Sequence, residues 1–181
     1  MNGNDEYNVN KTIFNCWSDA IKRFFDIQGR TTRYEFWAFQ TVSLLIFIIA
    51  AVIGFVFGYY KIIFEIYTLY FLVPATTVSI RRFHDIGMTG LWVTPAFIFG
   101  ATMLICWELS LSFTLLPLFL LLCYMSYMYW LLSQNGENTD NTYGSKIDEP
   151  AICNQDSKVF ITFMTVFLCI LWIIFLYQTL F

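Results

Sequence analysis

Arg81-Arg82-Phe83-His84-Asp85-Ile86-Gly87 sets two guanidiniums, an imidazole and a carboxylate within five residues, with Gly90 and Trp92 close behind. It contains the chain's single histidine and its one adjacent arginine pair, and it lies between two long apolar runs. Ionisable groups so near lipid are costly unless they are paired or reach the membrane surface. Arg30, Arg33 and Glu35 form a second such group upstream. Guanidinium forks bind phosphate or carboxylate through paired hydrogen bonds. Gly87 and Gly90 would let a backbone turn direct its amides at the same anion. Arg30, Arg33, Glu35, Arg81, Arg82, His84 and Asp85 are therefore the candidate anion- or partner-binding residues. Arg81 and Arg82 are expected to pair with Glu35 and Asp85, and His84 to donate to a carbonyl or carboxylate. Arg33 and Glu35, two apart on a helix, do not face each other, so partners from another segment are expected. The plainer use of these residues, which the sequence favours, is an ion-pair network fixing helix ends at the interface, with arginines reaching lipid phosphates.

Other chemistries fit less well. One histidine beside Asp85 is too few ligands for a zinc centre, and no cysteine pair is positioned to help, so no metal or cofactor is expected. Ser79 and His84 are separated by the arginines, which argues against a nucleophile–base pair. An acid–base role for His84 with Asp85 would use the near-neutral titration of imidazole, but no catalytic residue is assigned. The five cysteines, Cys16, Cys106, Cys123, Cys153 and Cys169, lack C-x-x-C spacing and read as small hydrophobes.

The elements that must position these groups are helices in a membrane. Of the 181 residues 58% are hydrophobic and 13% charged, against roughly 45–50% and 25% in soluble domains. That is too little polar surface to cover a water-facing globule, and an all-α, polytopic bundle follows. Residues 1–35 are expected to be cytoplasmic. Within them Phe14, Trp17, Ile21, Phe24 and Phe25 recur at helical spacing opposite Asp19, Lys22 and Arg23, as in a helix lying along the interface. No apolar core of a cleavable signal occurs there, so the first span is expected to act as an uncleaved anchor. Four core spans are predicted at about 36–60, 62–80, 91–107 and 112–132, the last two a hairpin turning at 107–112. A polar tail, 133–158, and a fifth span, 159–181, complete the chain.

With the N-terminus inside, nine of the ten basic residues are cytoplasmic and only Lys61 is external, a strong positive-inside pattern. The C-terminus is then external, and Asn10-Lys11-Thr12 is a chance glycosylation match. The basic residues sit at span boundaries, which explains them without nucleic acid. Gly54-x-x-x-Gly58 offers a small-residue face for close helix packing, in a homo-oligomer or against another membrane protein.

Threaded this way, three polar segments meet on one face: 29–35, 81–90 and 136–143. Gly-Arg, then Arg-x-Glu-Phe-Trp heading the first span, and Arg-Arg-x-His-Asp-x-Gly-x-x-Gly-x-Trp between later spans, resemble domain-of-unknown-function family 805. These are small bacterial inner-membrane proteins, and the resemblance covers about residues 15–148. Gly136, Asn141, Tyr143 and Gly144 match the family's tail motif. Thr139 stands where a second glycine is usual, Thr142 and Met88 where basic residues are common, and Lys146-Ile147 where Asp-Pro closes the motif. The fifth span is an addition to the usual four. The family implies no mechanism. The expectation is a non-enzymatic inner-membrane interaction or regulatory protein whose cytoplasmic cap meets anionic lipid or a partner. A small transporter or channel is the alternative, weakened by the lack of a charge near the middle of any span.

Overall fold

The computed structural model describes residues 12–108 and 115–147. Among them are five α-helices: α1 (Ile13–Lys22), α2 (Arg33–Phe57), α3 (Tyr60–Asp85), α4 (Thr94–Glu108) and α5 (Leu115–Leu132), with a 3-10 turn at Gly90–Val93. The all-α class is as expected. One helix, α2, is long and apolar enough to cross a membrane. The remaining helices do not by themselves establish the five-span count. The expected fifth span and the turn of the α4–α5 hairpin lie outside the described residues.

Helix ends follow local chemistry. Thr32 Oγ1 accepts the Glu35 amide at 3.2 Å while Glu35 Oε2 accepts the Thr32 amide at 3.3 Å. This capping box starts α2 at Arg33, three residues before the expected boundary, and satisfies two N-terminal amides. α1 opens on Thr12, whose hydroxyl accepts from the Asn15 amide, and ends at Lys22. It therefore stops before Phe24 and Phe25, which were expected to share its apolar face.

Gly58 takes a left-handed conformation (φ 75°) just past α2, and the Tyr59 amide donates to Gly54 O at 2.8 Å. Gly58 thus ends the helix.

α3 does not stop at Ile80. It continues through the arginine pair to Asp85, so Arg81, Arg82, His84 and Asp85 stand on a helix rather than in a loop. Gly87 (φ 76°) closes it, with the Met88 amide donating to Phe83 O at 2.8 Å. The chain then doubles back against the same helix. A Cβ on Gly90 would lie 2.6 Å from Ile80 Cγ2, so only glycine allows that approach.

The core gathers at one end of the helices. Phe36, Trp37 and Phe39 of α2 pack with Val78 and Phe83 of α3, Val93, and Met128 and Leu132 of α5. Trp37 stacks on Tyr129 with centroids 5.9 Å apart. Toward the far end, Ile49, Val52, Phe55, Ile66 and Leu69 are exposed. Apolar side chains left uncovered along helix lengths suit lipid as the solvent, while the packed end carries the polar groups.

Candidate functional site

Asp85 is the hub of the packed end. Its Oδ1 accepts Arg30 Nε at 2.8 Å and its Oδ2 pairs with Arg82 Nη1, all three side chains being almost wholly buried. Neither arginine stops there. Arg82 Nε donates to Leu132 O at 3.0 Å and Nη2 to Gln134 O. Leu132 is the last residue of α5, so this guanidinium satisfies a carbonyl that the helix end leaves without an amide. Arg30 does the same for the tail, with Nη2 donating to Glu137 O at 2.7 Å and Nη1 to Thr139 O at 2.9 Å. The Glu137 amide returns a bond to Asp85 O at 2.8 Å. One carboxylate and two arginines thus tie α3, the segment before α2 and the tail after α5.

Glycine makes room for this knot. A Cβ at Gly136 would overlap the Asp85 carboxylate, and one at Gly87 would overlap that of Glu137. The Gly87 amide donates to His84 O at 3.2 Å. At Gly87 the amide expected to face an anion is used within the helix cap, and the Glu137 carboxylate lies against that glycine.

His84 and the tail motif form the outer layer. Nδ1 lies 3.1 Å from Gly29 O, and since a carbonyl only accepts, Nδ1 carries the proton. The imidazole stacks on Tyr143, centroids 3.9 Å apart and planes within 2°. Asn141 Nδ2 donates to His84 O at 2.9 Å and to Glu137 Oε2 at 2.8 Å, while its Oδ1 accepts the Tyr143 amide. Asn141 and Gly144 exchange backbone bonds of 3.1 and 3.2 Å, closing a small turn that presents the tyrosine ring. The unusual Thr139 is used through its carbonyl, so its side chain does not affect the contact with Arg30.

Arg81 has different surroundings, although it is as buried as its neighbour. Its Nε donates to Thr31 Oγ1 at 3.1 Å and Nη1 to Asp26 O at 2.8 Å, while its own carbonyl accepts the Thr31 amide at 3.2 Å. The expected pairing with Glu35 does not form, because that carboxylate turns back to cap α2. Desolvation, then the nearby Arg23 charge, pull the Arg81 pKa down to about 10, with Asp26 and Glu35 opposing only partly. Arg81 lines a cavity of about 200 Å³ with Cys16, Asp19, Ala20, Lys22, Arg23, Thr31, Glu35 and Val78. Arg33, buried in the first turn of α2, makes its own interactions and is not in that lining.

The seven candidate residues therefore divide. Arg30, Arg82, His84 and Asp85 come together with the tail, Arg81 and Glu35 face the cavity beneath α1, and Arg33 belongs to neither group. Sequence reading missed Gly136 as the seat of Asp85, Glu137, and the roles of Asp26, Thr31, Lys22 and Arg23. Most of these act through backbone atoms or through proximity, for which residue type gives no signal. The glycines beside polar residues, Gly87 after Asp85 and Gly136 before Glu137, were the available clue for close approach.

A helical protein with an apolar, lipid-compatible length and an arginine-rich packed end is the class this architecture defines. Residues 24–145 match the family model described as "Protein of unknown function (DUF805)", and the chain belongs to that family. It is also similar to the inner membrane protein YhaI of Escherichia coli K12, and of strain O157:H7, at 28% identity over 80 residues, 44% of this chain and 68% of the relative. No solved structure matches.

Proposed function

We propose that this is a multi-pass protein of the bacterial inner membrane, non-enzymatic, with an interaction or regulatory role, whose cytoplasmic cap contacts the anionic phosphate of lipid headgroups. The proposed topology has the N-terminus cytoplasmic, four core spans, a fifth span and an external C-terminus. The basic-residue asymmetry, the exposed apolar lengths of α2 and α3 and the inner-membrane relative support it. The carrying observation is Arg81, a buried guanidinium whose hydrogen bonds among the described residues go to neutral oxygens, beside a second arginine whose charge Asp26 and Glu35 only partly offset, and an open cavity. A charge in that position gains from an anion; the paired arginines of the knot already have theirs.

The test is native mass spectrometry of the gently extracted protein, comparing wild type with Arg81→Gln and Arg82→Gln. Retention of a phospholipid should fall about tenfold in Arg81→Gln with helicity unchanged. Arg82→Gln should instead lower the thermal midpoint in detergent, because it leaves Asp85 short of a partner. Identical lipid retention in wild type and Arg81→Gln would overturn the headgroup reading and send the search to a protein partner.

A further inference from the structure

The cavity beneath α1 carries charge of both signs. Lys22, Arg23 and Arg81 line it together with the carboxylates of Asp19 and Glu35. A purely anionic ligand would meet two repulsive groups there, and a purely cationic one three. Lys22–Asp19 is 3.3 Å long with side chains 72% and 41% exposed, and Arg23, bonded to Asp26 and to Gln28 O, is 43% exposed, so solvent competes for these partners and both ion pairs can rearrange. Arg81 is not adjustable. Its Nε and Nη1 are fixed by Thr31 and the Asp26 carbonyl, and Nη2 makes no hydrogen bond among the described residues.

The position of the cavity narrows the ligand. α1 buries Cys16 and Ala20 against the bundle, while Ile13, Phe14 and, just beyond the helix, Phe25 remain exposed. An interfacial helix with uncovered apolar side chains places the adjoining cavity at headgroup depth. About 200 Å³ is below the roughly 300–1,000 Å³ of pockets for drug-sized molecules, and suits a group of about eight non-hydrogen atoms.

Resting on the headgroup reading above, we infer that this cavity binds a zwitterionic phosphodiester bearing a primary ammonium, the phosphate held by Arg81, Arg23 and Lys22 and the ammonium by Asp19 and Glu35. A primary ammonium donates three hydrogen bonds, and each carboxylate oxygen accepts more than one. A trimethylated ammonium donates none, so it forgoes the charge-assisted hydrogen bonds to both carboxylates and binds more weakly. The same headgroup occurs on phosphatidylethanolamine in the bilayer and on water-soluble glycerophosphoethanolamine.

The experiment titrates the delipidated full chain in detergent with phosphatidylethanolamine, phosphatidylglycerol and phosphatidylcholine of matched acyl chains, read by native mass spectrometry. Phosphatidylethanolamine should bind about tenfold or more tighter than the other two, as expected for a lost charge-assisted hydrogen bond. Arg81→Gln should weaken it by a similar factor. Lys22→Gln/Arg23→Gln, confined to exposed side chains, should do so without altering the helical circular-dichroism signal. Asp19→Asn should reduce the preference over phosphatidylglycerol. Competition by glycerophosphoethanolamine would support the binding chemistry with a soluble source; phosphatidylethanolamine binding unaffected by it would support a lipid source. Equal binding of phosphatidylethanolamine and phosphatidylglycerol, both lost in Arg81→Gln, would overturn the ammonium half and leave the anion reading standing. Binding of none of the lipids would overturn both, and a preference that survives every variant would overturn this cavity as its site.

Discussion

Arg81 and Arg82 are adjacent on α3, and both are buried, at 2% and 0% exposure. Their surroundings are nonetheless opposite. Arg82 has a carboxylate on one nitrogen and backbone carbonyls on the other two. Arg81 has a hydroxyl and a carbonyl on its nitrogens, with the Arg23 charge nearby only partly offset by Asp26 and Glu35, neither of whose carboxylates hydrogen-bonds it among the described residues. Successive residues on a helix are about 100° apart, so neighbouring arginines face different elements. One turns toward the tail after α5, where unsatisfied carbonyls need donors, and the other toward α1, where a cavity lies. Burial of charge thus serves closure on one side of α3 and leaves an unmet electrostatic demand on the other.

Asp85→Ala is the strongest way to break this contrast. It leaves Arg30 and Arg82 buried without their carboxylate, and removing one partner from a buried ion pair costs about 3–5 kcal/mol. Thermal unfolding in detergent should show that loss, together with proteolytic exposure of the tail. A loss under 1 kcal/mol would mean that the tail carbonyls alone hold the two guanidiniums, and that the closed side is no better paired than the open one.

Gly136→Ala acts on the same knot through space alone. Its Cβ would overlap the Asp85 carboxylate, which two arginines hold in place and which therefore cannot move aside freely. Overpacking of this kind typically costs about 1–3 kcal/mol. The unfolding midpoint of this variant should fall between those of wild type and Asp85→Ala. An unchanged midpoint would show that the tail can shift without disturbing the ion pairs.

How far the sequence could reach also differs between the two sides. Helical class, the apolar run of α2, the approach of three polar segments and the Arg82–Asp85 pair were legible, because spacing and charge determine them. Asp85 is three residues beyond Arg82, a helical neighbour, whereas Arg30 is 55 residues away and only the fold brings it near. The span expected to end near Ile80 runs on as helix to Asp85, because charge at its boundary does not stop a helix, whereas Gly87 does. Gly54 and Gly58 illustrate the same ambiguity: their spacing suits a packing motif, but a left-handed backbone at the second position serves a helix end. The cavity was not legible at all, since hydrogen bonds from Arg81 to the Asp26 carbonyl and from Arg82 to that of Leu132 depend on no side-chain type.

The smallest expected effect lies on the open side and tests its adaptability. Asp26 accepts the Gln28 amide at 2.9 Å and Arg23 Nε at 2.8 Å, and these hold its carboxyl below the usual carboxylate range, the backbone bond contributing most. With the folded pKa below the unfolded one, the folded state binds fewer protons. The resulting stability is fully present above about pH 4 and is lost as the pH falls through the lower, folded value. Arg23 and Asp26 are 43% and 41% exposed, so solvent screening limits the contribution to a few tenths of a kcal/mol. Asp26→Asn should therefore lower the unfolding midpoint slightly at pH 6, and the difference from wild type should shrink toward pH 3. A pH-independent difference as large as that of Gly136→Ala would place Asp26 in a rigid structural network, and the two sides of α3 would then be built on the same principle.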